Sequence, residues 1–382
     1  MTDQPQVQKG LKGVAADRSA ISDVQPKEKK LFYRGYPVDE LAEQCRFEEV
    51  AHLLLHGELP SAAELSTFED KERAARELSD EGAKVLDLIR ADASPMDVLR
   101  TGVSLEGSNH PEVFGADPDT IREHAIRVLA QLPTLTAAKY RRQQGKAPIS
   151  PRSDLSIAAN FFHMCFGEVP ADKVVEAFDT SLILYAEHGF NASAFTARVI
   201  TSTLSDYYGA VAGAIAALKG MLHGGANEAV MEMLLEIDEA EADPADWVRQ
   251  RLEAGEVVMG FGHRIYKYGD SRVPIMRQCL HDVAGPEQQK WIEIAEAVET
   301  TMQEETGIPP NLDYPAGPAY YAMGFEIELF TPIFVMSRTA GWSAHILEQL
   351  ADNTLIRPTS EYVGPEARSV PSLDERSGTA SH

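Results

Sequence analysis

The sequence predicts a mainly α-helical protein with one large and one smaller domain. From Val38 onward apolar residues recur at helical spacing, strand-type alternation is scarce, and no repeat of fixed period is present. At 382 residues the chain is long enough to bury a sizeable core, and 44% hydrophobic with 25% charged residues is an ordinary globular balance.

The first thirty residues are polar and rich in lysine from Lys27 to Lys30, so folding is expected to begin near the strand-like or turn segment Leu31 to Pro37. Leu41, Phe47, Val50, Leu53 and Leu54 then mark a helical face that stops at Gly57-Glu58-Leu59-Pro60. Phe68 to Arg90 reads as a charged amphipathic helix pair. Ser94-Pro95 is an N-cap followed by a first-turn proline, and opens a helix over Asp97 to Ser104. Gly107 to Pro118 reads as a polar loop. Ile121 to Gln143 is helical but interrupted at Pro133, and Lys139, Arg141, Arg142 and Lys146 suit a solvated C-terminal helix end.

The small residues between Gly209 and Leu218 form a face that another helix can approach closely, in this subunit or a neighbouring one. Between Ala226 and Glu328 the character shifts. An acidic linker at Asp238 to Asp246 is followed by a glycine-rich stretch to Gly262 and a helix from about Gln288 to Thr306. A smaller domain here puts His223 and Asp313 near the crossings between domains, where clefts form.

A net charge of −24 disfavours nucleic acid and anionic membrane surfaces as partners. An anionic substrate therefore has to be held by locally concentrated arginines. Three widely spaced cysteines, Cys45, Cys165 and Cys279, suggest neither a zinc site nor a redox motif and point to a reducing cytoplasm. The polar start from Met1 to Gly10 carries no signal peptide, and the ten-residue apolar run to Leu218 is too short to span a bilayer.

Three distant segments offer proton-handling side chains: Leu222-His223-Gly224-Gly225, Met259-Gly260-Phe261-Gly262-His263 and Asn311-Leu312-Asp313-Tyr314. The glycines before His263 lack the third glycine and the βαβ frame of a dinucleotide loop. A flat backbone edge that receives a ring, with Lys267 to meet phosphate, is the better use. Arg338 lies in an apolar stretch where an unpaired guanidinium is costly, so it needs an anionic partner. Arg272 and Arg357, which is expected to end a helix, together with His188 complete a set able to clamp a dicarboxylate. Burial of Asp313 beside Tyr314 would raise its pKa, the direction a general base requires.

In this order the segments resemble the citrate synthase family, from Tyr33-Arg34-Gly35-Tyr36 to Ile356-Arg357-Pro358. The resemblance implies an all-α homodimer. A large helical domain of residues 1–223 and 329–382 and a smaller one of residues 224–328 would close over the cleft. It assigns catalysis to His223, His263 and Asp313, and oxaloacetate binding to His188, Arg272, Arg338 and Arg357, the last reaching the neighbouring subunit's site. Lys71 is a further substrate contact.

The stretch Val257, Val258, Met259, Gly260, Phe261, Gly262 and Lys267 would hold coenzyme A, as a cosubstrate, with no permanently bound cofactor and no metal. Segments after Leu329 and around Arg357 to Pro365 look most like the 2-methylcitrate synthases, which implies propionyl-CoA preferred and acetyl-CoA accepted. A dedicated citrate synthase using acetyl-CoA is the alternative. Ser271 departs from the family, many of whose members carry proline before the arginine. Two rivals belong to other classes. A metal-dependent hydrolase using His188, His223, His263 and Asp313 lacks a compact ligand spacing, and an acidic helical scaffold leaves the buried arginines without purpose.

Overall fold

A computed structural model of the chain describes residues 7–262 and 269–376. Two compact units are distinguished. One comprises Met1–Arg18 with Ile356–His382, and its described part is largely extended and exposed; the other is Ser19–Leu355.

The larger unit opens on a small antiparallel sheet, β1 (Ser22–Gln25), β2 (Lys30–Tyr33) and β3 (Tyr36–Pro37). Order therefore begins before the expected start at Leu31. Ile21 is fully buried, and β1 pairs with β2 in the register Ser22↔Tyr33, a partner that its polar sequence does not announce.

Helices follow: α1 (Val38–Gln44), α2 (Phe47–His56), α3 (Ala62–Ala74), α4 (Asp80–Leu88), α5 (Pro95–Asn109), α6 (Pro118–Gln143) and α7 (Ile157–Phe166). Gly57 ends α2 with φ 96°, a left-handed conformation that glycine adopts without steric cost. Ser61 and Glu64 form a capping box on α3. The expected break at Pro133 does not occur: α6 runs unbroken through it for 26 residues. Tertiary packing holds this helix together across the missing N–H. Residues 128 to 139 are buried, and Thr134 Oγ1 donates to the Arg76 carbonyl at 2.8 Å. Nor is its end a simple solvated one, since Lys139 is buried and caps the Ala91 carbonyl.

The remaining helices are α8 (Asp172–Tyr185), α9 (Ala192–Ser202), α10 (Tyr207–Leu218), α11 (Ala226–Glu239), α12 (Pro244–Glu253), α13 (Arg272–Val283), α14 (Gln289–Thr306), α15 (Asp313–Ala322) and α16 (Phe330–Ala351). The expected acidic linker is mostly the end of α11 and the capped start of α12, with Asp243 accepting from Ala245 and Asp246. Part of the small-residue face of α10 packs within the chain, while Ala216 is exposed. A Cβ at Gly213 would lie 2.2 Å from Ile200 Cδ1 on α9, and one at Gly107 of α5 would lie 2.5 Å from Tyr208 Cβ.

Helix α16 is buried on nearly every face from Phe330 to Ile346 and packs against α2, α6, α8, α9 and α10. Among the described residues no helix is long and apolar enough to cross a membrane.

Candidate active site

The C-terminal end of α8 organises the site. A helix leaves its last four carbonyls without intrahelical partners, and here side chains from distant segments take them. Ser337 Oγ donates to Leu182 O, Arg272 Nη1 to Leu184 O at 3.1 Å and Arg338 Nε to Tyr185 O at 2.7 Å, while Tyr33 Oη lies 3.2 Å from Ile183 O. Positive charge at a helix C-terminus is favoured by the macrodipole. Two of the expected oxaloacetate ligands are thus fixed side by side by backbone.

Both guanidiniums are buried, Arg272 to 4% exposure and Arg338 to 2%. The anionic partner expected for them is partly internal. Asp270 grips Arg272 through two contacts, Nε to Oδ1 at 2.9 Å and Nη2 to Oδ2 at 2.7 Å. Arg338 stacks on Phe334, 4.7 Å from the ring centre, and its Nη groups meet no protein acceptor among the described residues. Burial lowers its pKa, opposed first by the Glu187 carboxylate. Ser271, the departure from the family pattern, buries an Oγ that has no partner among the described residues.

Asp313 is the first residue of α15, and its backbone N–H donates to Asn311 Oδ1 at 3.0 Å. Asp313 is of intermediate exposure yet its carboxyl is densely surrounded by protein, and burial raises its pKa to about 6. The hydrogen bond from Tyr185 Oη, at 2.6 Å, and the charges of Arg272 and Arg338 hold it from rising further. The expected direction is correct but the neighbour differs: Tyr314 turns away and donates to Ala295 O at 2.7 Å. Tyr185 went unnoticed in the sequence, where its place three residues before His188 was the available signal.

His223 lies in the turn after α10. Its Nε2 accepts the backbone N–H of Ser193 at 3.2 Å and lies 2.9 Å from Ser193 Oγ. A backbone N–H can only donate, so the neutral ring carries its proton on Nδ1. Burial, helped by Arg338, lowers its pKa to about 4, which keeps the ring neutral at pH 7. Ser193 is itself anchored, accepting from Trp342 Nε1 at 3.0 Å and donating to Asn191 Oδ1 at 2.8 Å. Ser193 sits in no recognisable motif, and Trp342 lies in the segment Gly341 to His345 that resembles 2-methylcitrate synthases, where nothing local assigns it this contact.

His188 is buried on the segment after α8, beside Glu187. Glu187 is pinned by His345 Nε2 at 2.9 Å and Ser22 Oγ at 2.9 Å, and Tyr33 Oη donates to its carbonyl at 2.9 Å. Burial alone would raise the Glu187 pKa, but His345 and Arg338 outweigh it and the net direction is down.

The glycine-rich stretch leads straight to Asp313. Phe261 bridges Pro310, Gly262 N donates to Pro309 O at 3.0 Å, and Asn311 N donates to Gly260 O at 2.9 Å. Gly260 has φ 82°, and a Cβ there would lie 2.7 Å from both Tyr314 and Val230. The backbone edge expected to receive a ring is therefore occupied on this side by Pro309 to Asn311. Val257 is 77% exposed, Val258 is buried, and Met259 and Phe261 are intermediate. His263 and Lys267 lie outside the described residues.

One expected residue is not brought to this cluster. Lys71, exposed on α3, pairs with Glu123 at 2.5 Å. Arg357 is exposed in the other unit and ends no helix, because α16 stops at Ala351.

A carboxylate raised toward neutrality, a neutral imidazole with a fixed donor and two buried guanidiniums are groups with which an enzyme can remove a carbon-bound proton beside an anion. Residues 10–359 match the family described as citrate synthase, C-terminal domain. The chain belongs to the citrate synthase family, whose reaction condenses an acyl-CoA with oxaloacetate, on an all-α fold of large and small helical domains. It is 52% identical over 370 residues to the 2-methylcitrate synthase of Mycobacterium tuberculosis, covering 97% of this chain and 93% of that one. It is also 52% identical over 373 residues to a citrate synthase of Mycolicibacterium smegmatis, covering 97% and 98%. Among solved structures, the ternary complex of Thermoplasma acidophilum citrate synthase with carboxymethyl coenzyme A and oxaloacetate matches at TM-score 0.92. It shares 30% identity, with 98% of this chain and all of that one covered.

Proposed function

We propose that the protein condenses propionyl-CoA with oxaloacetate and water to give 2-methylcitrate and free CoA, and that it accepts acetyl-CoA to give citrate. The observation that carries the chemistry is the pairing of a carboxylate raised to about 6 with a histidine held neutral. Asp313 takes the α-proton of the thioester while Nδ1–H of His223 donates to the thioester oxygen, stabilising the enol. The enol carbon attacks the ketone of oxaloacetate. His263 gives a hydrogen bond or proton to the developing alkoxide, and His188, Arg272, Arg338 and a neighbouring subunit's Arg357 hold the carboxylates. Water then cleaves the acyl thioester, releasing the carboxylate and the CoA thiol.

The large domain comprises residues 1–223 and 329–382 and the small domain residues 224–328. Coenzyme A binds along Val257 to Gly262, with Lys267 at its phosphates; Lys71 makes an outlying contact. The working form is a cytoplasmic homodimer, a compartment consistent with three cysteines that form no disulfide.

A pocket that admits the extra methylene can reject acetyl-CoA only weakly, because one methylene discriminates by about 1–3 kcal/mol. Relatives named for either reaction stand at the same 52% identity, so the acyl preference is a matter for measurement. Thiol release from the two acyl-CoAs at saturating oxaloacetate decides it. The expected result is a higher kcat/KM for propionyl-CoA; a strong preference for acetyl-CoA overturns the 2-methylcitrate assignment.

A further inference from the structure

Away from the cleft, two imidazoles and a carboxylate converge where α5 meets α6. His110 caps α5, Glu112 lies in the short 3-10 turn Pro111–Val113, and His124 projects from the second turn of α6. One donor atom from each of the three lies within 4.8 Å of the others. His110 Nδ1 is 2.8 Å from Glu112 Oε1, and His124 Nε2 is 3.7 Å from that same oxygen. Ligands around a tetrahedral zinc-sized ion, bound at about 2.0–2.1 Å, stand about 3.3 Å apart, between these two values.

The outer contacts are those a metal-bound histidine requires, since its second nitrogen is normally held by a carboxylate, carbonyl or similar group. His110 Nε2 is 3.2 Å from Glu106 Oε1, and His124 Nδ1 is 2.7 Å from Tyr208 Oη. Both outer partners are buried, Glu106 to 6% exposure and Tyr208 to 1%. Glu106 is further held by Ser79 Oγ at 3.1 Å and by the Arg127 guanidinium at 3.9 Å, which reserves it for this outer role.

Both ring nitrogens of His110 face carboxylates. A cation on Nδ1 leaves Nε2–H to donate to Glu106. Arg127 faces Glu106, which leaves the carboxylate of Glu112 to supply negative charge to a cation.

We propose that His110 Nδ1, Glu112 Oε1 and His124 Nε2 form a binding site for a divalent transition metal of the zinc class, with a fourth position open to water. Such an ion clamps the α5–α6 connection. Tyr208 begins α10 and the His223 turn follows its other end, so the site stands about 15 Å of helical rise from that turn. It takes no part in the condensation.

The test is titration of chelator-treated, full-length protein with Zn²⁺ by calorimetry and with Co²⁺ by visible absorption, alongside Glu112→Gln and His110→Asn. Glu112 is 56% exposed and its substitution leaves the core intact, which thermal melts of both metal-free variants verify. One ion per chain is expected, with four-coordinate Co²⁺ bands and at least about tenfold weaker binding in each variant. Zn²⁺ should raise the Tm of the parent and not of the variants. Absence of stoichiometric binding, or binding that neither substitution weakens, overturns the proposal.

Discussion

Asp313 and His223 both feel the charge of Arg338 and are driven in opposite directions by the same cause. Burial disfavours the charged form of each, so the carboxyl rises to about 6 and the imidazole falls to about 4. The base works only when ionised. The acid limb of kcat/KM should therefore lie near pH 6, with activity lost as pH falls through it, and His223 contributes nothing to that limb because it is still neutral there. Tyr185→Phe removes a hydrogen bond that stabilises the ionised carboxylate, so the limb should move to higher pH. An unmoved limb in the pH profile would separate Asp313 from the titrating group. Ser193 provides a second test, since its N–H rather than its hydroxyl sets the His223 tautomer. Ser193→Ala keeps that N–H and should retain most activity. Ser193→Pro lies in the first turn of α9, where proline is tolerated, and should lower kcat by about 10²-fold or more with little loss of Tm.

At the level of elements, local signals were legible wherever glycine, proline or a capping side chain marks a boundary. Gly57, Ser94-Pro95 and the end of α14 at Thr306 are examples. They misled where tertiary packing outweighs local preference, as at Pro133, or where a strand is defined by its partner, as in β1. The three segments proposed for catalysis stand out in the sequence because glycine and proline surround them. The capping of α8 by Tyr33, Arg272 and Arg338 was not, since those residues are separated by most of the chain. The α9–α10 contact was half legible: the small residues showed close approach but not the partner. Gly213→Val should cost about 1–3 kcal/mol in urea melts by forcing Ile200 aside. Adding Ile200→Ala removes the clashing Cδ1, so the double variant should lose less than the sum of the singles.

For the whole molecule, composition bounded the class, and the arginines within an acidic chain pointed to an anionic substrate. Subunit exchange remains the decisive property at this scale. If Arg357 completes a neighbouring subunit's site, Asp313→Asn and Arg357→Leu damage sites on different chains. Each parent should lose about 10²-fold or more of its activity. Mixed under conditions that allow exchange, half the dimers become hybrids carrying one site with both defects and one with neither. Activity should recover to about a quarter of the unmodified enzyme. No recovery, with hybrids verified by mass, would assign Arg357 to its own chain.

The burial of α16 has a consequence for how the protein is made. This helix supplies Arg338, the Trp342 that anchors Ser193 and the His345 that hydrogen-bonds Glu187, yet it ends only at Ala351. Until it emerges from the ribosome, α2, α6, α8, α9 and α10 lack the apolar helix they pack against, and Glu187 lacks its His345 partner. The first 329 of the 382 residues must wait in a sticky, incomplete state, and a message truncated before this helix is expected to yield aggregate rather than a weaker enzyme.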